Sequence, residues 1–206
     1  MSKYTEVLHF TVVEDLKAGT ITLDGIRDLL SKADGLKRSY AGPTIEDPAI
    51  LYIVNEWASE DAFTAFLNSP NGTAYELGLQ ELAGSPIVRF FVDFDEDGSP
   101  LSAPIVEYGT FMLREDDTAE RLKALLDELI DKFKAAQTSK YYGSGWAEVL
   151  NKPYMYQSIL GWDSIQAHQY AVQQLPAKEV IDKIMALQFT SLDIVHVALK
   201  PIVENA

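Results

Sequence analysis

The chain has 206 residues, 47% of them hydrophobic and 23% charged, enough for one large domain or two small ones with a sizeable core. A net charge of −14, with 17 basic residues scattered along the chain, argues against a nucleic-acid or anionic-membrane partner, which needs clustered Lys and Arg. Cysteine is absent, so disulfides, thiolate metal sites and cysteine nucleophiles are excluded. No apolar run reaches the ~18–20 residues of a membrane span, and the N-terminus lacks a signal-like stretch. A cytoplasmic protein is the expectation.

Taken in order, EVLHFTVV (6–13) reads as a strand, and Leu23 to Ala33 as a helix weakened by Gly25. A β-run follows at Leu36–Ala41, then a strand that ends at Trp57. Ser59 is a candidate N-cap for a helix that presents Ala62, Phe63, Phe66 and Leu67 on one face. A further helix fits Ala74–Leu82, and PIVRFFVDF (86–94) closes the first half as a strand. The stretch DEDGSP (95–100), extended by Leu-Ser-Ala-Pro, reads as a linker.

The same plan then repeats. PIVEYGTFML (104–113) is a strand, and Leu122, Leu125, Leu126, Leu129, Ile130 and Phe133 form a helical stripe behind an Asp117/Glu120 capping box. A run at Tyr141–Val149 precedes a strand ending at Trp162, with Asp163 as the candidate cap of the helix carrying Ala167, Tyr170 and Ala171. Pro176 opens a helix over Ala177–Leu187, and LDIVHVAL (192–199) is the last strand.

Two stretches expose the repetition. DPAILYIVNEW (47–57) and KPYMYQSILGW (152–162) each carry Pro second and Trp last. With the shared β-α-β-β-α-β order they imply a tandem duplication: an N-terminal repeat at 1–95, a linker at 96–103 and a C-terminal repeat at 104–206. The expected fold class is α+β, two ferredoxin-like repeats forming an intramolecular, pseudo-dimeric α/β barrel. The chain would then be a self-contained monomer or a homodimer. A cavity between such sheets is mostly apolar and suits a small aromatic or acyl ligand.

WASEDAFTAFLNS (57–69), after Asp47-Pro48 and an apolar strand, resembles the antibiotic biosynthesis monooxygenase family of the dimeric α/β-barrel superfamily. Trp57, Ser59, Ala62, Phe63, Leu67 and Ser69 carry the resemblance, which covers 5–95 moderately and 104–201 weakly. It implies a barrel and cofactor-free oxygenation of aromatic polyketides. In the haem-degrading branch a functional Trp and His fall at Phe66 and Glu76 here, and at Ala171 and Ile181 in the second half, so that chemistry is not carried over. A polyketide cyclase of the superfamily has a His matching His9, but its second His falls at Gly72.

His9, on the first strand, is either a satisfied core imidazole or a general base. Asn55 and Arg89 are its candidate oxyanion partners, although a backbone-satisfying role fits Asn55 equally and Arg89 reads first as a salt bridge with an acid. Candidate substrate-binding residues are Tyr40, Trp57, Phe66, Tyr108, Tyr142, Trp146, Trp162 and His196, with Trp57 and Trp162 read first as strand-end anchors. His168 reads as packed. No metal motif, phosphate loop or cofactor fold is present in the sequence. The leading expectation is a cofactor-independent monooxygenase acting on a small aromatic. The alternatives are a non-catalytic ligand-binding or stress-related protein, and a cyclase.

Overall fold

The computed structural model describes residues 4–20, 22–114, 118–136 and 141–204, with backbone alone for 95–98. The chain divides into two units, one up to Asp93 with the segment from Ala198 on, the other Phe94–Val197. In the N-terminal unit β1 (Tyr4–Thr11), a short α1 (Glu14–Lys17) and α2 (Asp24–Leu30) lead to β2 (Leu36–Pro43) and β3 (Ile50–Trp57). Helices α3 (Glu60–Leu67) and α4 (Pro70–Leu82) and strand β4 (Val88–Val92) follow. The C-terminal unit holds β5 (Asp95–Gly98), a 3₁₀ turn (Pro100–Ser102), β6 (Ile105–Leu113), α5 (Ala119–Ala135), β7 (Tyr141–Glu148) and β8 (Met155–Trp162). Helices α6 (Ile165–Gln173) and α7 (Ala177–Met185) and strand β9 (Phe189–Val197) complete it, and β10 (Lys200–Glu204) returns to the first unit.

Each unit is built on an antiparallel five-stranded sheet, ordered β10-β2-β3-β1-β4 and β5-β7-β8-β6-β9. In the first, Leu8, Phe10, Ile53 and Trp57 alternate onto the face that meets Ile26 and Leu30 of α2, Phe63 and Phe66 of α3, and Tyr75 and Leu79 of α4. In the second, Phe111 and Tyr156 meet Leu122 and Leu126 of α5 and Val180 and Ile184 of α7. Trp57 and Trp162 end equivalent strands and touch the next helix, Trp57 through Phe63 and Phe66, Trp162 through His168.

The helix starts differ in detail from expectation. Ser59 caps α3 by accepting the Ala62 N–H, and Ser164, not Asp163, does the same for α6 through Ala167, both at 3.2 Å. The two serines stand two residues after their tryptophans, so the cap is part of the repeated frame. Helix α4 begins at Pro70 rather than Ala74, because Ser69 caps it and Pro needs no helical N–H there. Helix α2 stops at Leu30, ahead of a turn in which Gly35 has φ +80. Asp117 lies outside the described residues, and Thr118, at the N-cap of α5, makes no side-chain capping hydrogen bond.

The stretch read as a linker contains strand β5, paired to β7 from Asp95↔Trp146 to Gly98↔Gly143. Its counterpart is β10, paired to β2 from Lys200↔Ala41 to Glu204↔Arg38. β5 follows β4 in the chain, and β10 follows β9. Each repeat's fifth strand therefore completes the sheet of the other unit. Gly42 allows the chain to pass, since a Cβ there would lie 2.1 Å from the Ala198 carbonyl oxygen.

Val203 of β10 is buried in the N-terminal core, with Ile202 packed against it. Truncation before Lys200 is expected to lower the unfolding free energy by roughly 3 kcal/mol, the burial worth of these two side chains. Urea unfolding checks this, and an unchanged midpoint would mean that β10 contributes nothing to the unit it joins.

Candidate functional site

Both repeats bury a glutamate at the same place on their first strand, under the helices. Glu6 pairs in register with Asn55 and Phe91, and Glu107 with Leu160 and His196. A carboxylate in such a position must be compensated. The two units do this in different ways.

In the N-terminal unit the compensation is permanent. Arg89 Nε lies 2.9 Å from Glu6 Oε1, and the Arg89 guanidinium also binds Glu76 at 2.7 Å. Asn55 Nδ2 donates to Glu6 Oε2 at 2.8 Å and to the Tyr75 hydroxyl at 3.0 Å, while its Oδ1 accepts from Ser39 at 2.6 Å. Burial pushes the Glu6 carboxyl up, and Arg89 and then Asn55 pull it back. Asn55 and Arg89 thus complete a structural network.

In the C-terminal unit the equivalent of Arg89 is Ile194 and that of Asn55 is Leu160, so neither partner is available. Glu107 Oε2 instead accepts from Trp162 Nε1 at 3.1 Å and lies 3.1 Å from His168 Nε2. His168 Nδ1 is in turn 2.9 Å from His196 Nε2. Burial raises the Glu107 carboxyl, opposed first by His196 and then by the Trp162 N–H. The donor atoms of these three residues lie within 4.8 Å of one another, as a metal set would. His168 offers a different nitrogen to each neighbour, Nε2 to Glu107 and Nδ1 to His196.

Glu107 and His168 line one end of a cavity of about 230 Å³ between the sheet and helices α5–α7. The rest of its wall is apolar, with Phe111, Leu129, Phe133 and Ile184 prominent. Residue size differs between the two units here. Leu8 and Ile53, fully buried partners in the first sheet, are matched by Gly109 and Ser158 in the second, and Ser158 lines the cavity. Phe66 and Tyr75 pack in the first core, where the second unit has Ala171 and Val180 at the same 105-residue offset.

The expected site residues are distributed between these features. His9 lies on the opposite face of its sheet from Asn55 and stacks on Tyr52 at 4.8 Å, so the structure does not bring His9, Asn55 and Arg89 together. Tyr40 and Tyr108 are buried on strands β2 and β6, Tyr108 on the face opposite Glu107. Trp57 and Phe66 belong to the filled core. Tyr142 is exposed, and Trp146 donates to Asp127 at 2.7 Å, tying β7 to α5. Trp162 and His196 do join a polar cluster, together with His168, which the sequence reading set aside as packed. Glu107 was missed altogether. The signal was there: Phe63 and Phe91, 5.1 Å apart in one repeat, become His168 and His196, 4.7 Å apart in the other.

No protein-family model matches the chain, and no curated protein does. Solved structures do share its fold. A Fusobacterium nucleatum subsp. nucleatum protein, named provisionally as a monooxygenase, superposes with a TM-score of 0.77 at 10% identity, covering 97% of this chain and 94% of its own. An anthrone oxidase-like protein gives 0.72 at 15% identity, over 99% and 95%. A major regulator of staphylococcal pathogenesis gives 0.55 at 13% identity, over 95% and 98%. At these identities the likeness establishes the fold alone.

The raised Glu107 carboxyl has a consequence for stability. A carboxyl whose folded value lies above its ordinary 4.5 contributes stability below that pH and loses it as pH rises through the folded value. Glu107→Gln removes that loss. The stability of the variant relative to the parent is expected to grow from pH 4 upward, measured by denaturant unfolding; a difference independent of pH would refute it.

Proposed function

We propose that the chain is a small-molecule enzyme of the monooxygenase type, working in the cavity of the C-terminal unit. The observation that supports this reading is an apolar cavity lined by a buried carboxylate whose partners among the described residues are histidines and an indole N–H. Glu107 lines the cavity, and its Oε1 takes no hydrogen bond among the described residues. That oxygen is placed to accept a proton from a bound aromatic molecule with an acidic C–H or O–H, and burial raises its basicity towards working pH.

No flavin, nicotinamide or haem enters the reaction we propose. The substrate anion itself reduces oxygen: a ring CH₂ and O₂ become a ring C=O and water. One oxygen atom bonds to carbon and the other leaves as water with the two C–H hydrogens, so the substrate supplies all four electrons. Glu107 takes the first proton and returns it to the departing oxygen. The same reading includes the duplication: element order and the Pro-to-Trp frame support a tandem duplicate of one antibiotic-biosynthesis-monooxygenase-like unit.

An oxygen electrode with an anthrone as substrate tests the chemistry. One oxygen should be consumed per ketone formed, and Glu107→Gln should slow turnover by roughly 10²–10⁴-fold. Saturable binding with no oxygen uptake would leave a binding protein, a reading favoured by the presence of a regulator among the proteins sharing this fold. The cavity is tested separately by Ser158→Ile, which puts into its wall the residue type found at the equivalent position of the other unit. Binding of 1-naphthol should weaken at least about tenfold, worth ~1.4 kcal/mol, without loss of folding stability. Unchanged affinity by fluorescence titration would place the ligand elsewhere.

A further inference from the structure

We propose that the cavity of the C-terminal unit opens to the surface between Met185 and Ile194, and that its ligand is elongated, with an acidic aromatic head inside and an apolar arm lying in this mouth. The inference rests on the reading of the cavity as a ligand site, and it names the ligand's second half and the residues that select it.

Exposure marks the opening. Met185 and Ile194 line the same cavity as buried Glu107, Phe111 and Ile184, yet stand 56% and 43% exposed. Among the described lining residues these two alone are exposed. Met185 ends α7, and Ile194 lies on β9, the edge strand of its sheet. Ile194 pairs with Gly109, two residues along β6 from Glu107, so the strand rise sets the opening about 7 Å from the carboxylate's position. A hydrogen bond and one aromatic ring span that length.

The N-terminal unit carries a closed version of the same mouth. Arg89 holds the register position of Ile194, and Glu76 and Gln80 of α4 stand at the 105-residue offset from Ile181 and Met185 of α7. In each helix the two residues are four apart and share a face. Glu76, Gln80 and Arg89 line one groove, and Ile181, Met185 and Ile194 line one cavity, so the three positions come together in both units. In the first unit the Arg89 guanidinium bridges Glu76 and buried Glu6, which fastens α4 to β4 and leaves a polar groove outside the core. In the second, Ile181 and Ile194 bring no charge, and an apolar wall continues from the interior to the surface.

Size and chemistry define the occupant. The cavity holds about 230 Å³, below the ~300–1,000 Å³ of pockets that enclose a drug-sized ligand, while ~150 Å³ takes a benzene ring. One ring therefore sits inside, and a longer molecule extends through the mouth. There it meets Ile181, Met185 and Ile194, so an apolar arm gains by burial and a charged one leaves water without a partner.

Binding of phenol, 4-ethylphenol and 4-butylphenol to the full chain, measured by calorimetry, tests the mouth. Each methylene should tighten binding about threefold, a little less than full burial gives. Met185→Gln, the residue of the other unit, should leave phenol unchanged and lower the gain from the butyl arm about threefold. Ile181→Glu with Ile194→Arg installs the ion pair and should weaken all three ligands at least about tenfold. Because the chain has no cysteine, Met185→Cys carries a unique thiol. Its reaction with a maleimide should slow about tenfold in 4-butylphenol at ten times its Kd, and stay unslowed at the same saturation with phenol. Leu150→Cys, at an exposed position outside the cavity, should react at one rate throughout. Phenol that binds with no gain from the arm, or equal labelling of Met185→Cys under both ligands, overturns the mouth and leaves the cavity as a ligand site. So does a double variant that binds the series as the parent does; if that variant fails to fold, the two Met185 variants decide. If neither phenol nor 1-naphthol binds, the ligand site falls and the mouth with it.

Discussion

A carboxylate placed beneath a layer of helices is the constraint on which both units are built. Leaving a charge unpaired in an apolar interior costs several kcal/mol, more than most single contacts return. The N-terminal unit meets it with a guanidinium held between two acids, and everything nearby follows. Asn55 is locked by Ser39 and Tyr75, and Tyr75 stands against Phe66, so no room remains. The C-terminal unit meets it with groups that can lose or shift a proton, and the small residues around them leave the carboxylate accessible. The same carboxylate on the same strand is structural in one setting and available for chemistry in the other.

A cavity has a cost of its own, because apolar wall that faces empty space lacks the packing contacts of a filled core. The return of β10 to the first sheet also explains why the N-terminal unit is not contiguous in sequence. β10 and β5 give each sheet its fifth strand and cover an edge of β2 and of β7 that would otherwise be open to pairing with other chains.

Much of the fold could be read from residues because the strands and helices follow apolar period, and because the Pro-to-Trp frame marks equivalent strands. Elements at the edges could not. Asp95–Gly98 has the composition of a solvated loop, yet charged residues are what an edge strand tolerates, so composition does not separate the two. The site was legible only in fragments. His196 and Trp162 were selected for their chemistry, but Glu107 sits in an apolar run where a single acid looks like a surface residue. The difference in residue size between the units, at Gly109, Ser158, Ala171 and Val180, was hidden as well. Smallness carries no signal in one repeat alone; it emerges when each position is set against its larger twin.

The cavity wall also constrains how any ligand can lie. Beyond Glu107, Ser158 and His168 its lining offers no polar side chain, so a flat apolar molecule would gain burial in many orientations. Only an orientation that brings its single acidic group to Glu107 adds a charge-assisted hydrogen bond, worth about 1.5–3 kcal/mol. That difference is more than tenfold in occupancy, enough to select one face and one ring position of the ligand. An anionic ligand gains no such bond, because its charge would meet the carboxylate head-on. On the reading proposed above, selectivity would therefore come from the scarcity of polar groups: among the described residues Glu107, Ser158 and His168 alone would decide which atom of a bound molecule is held.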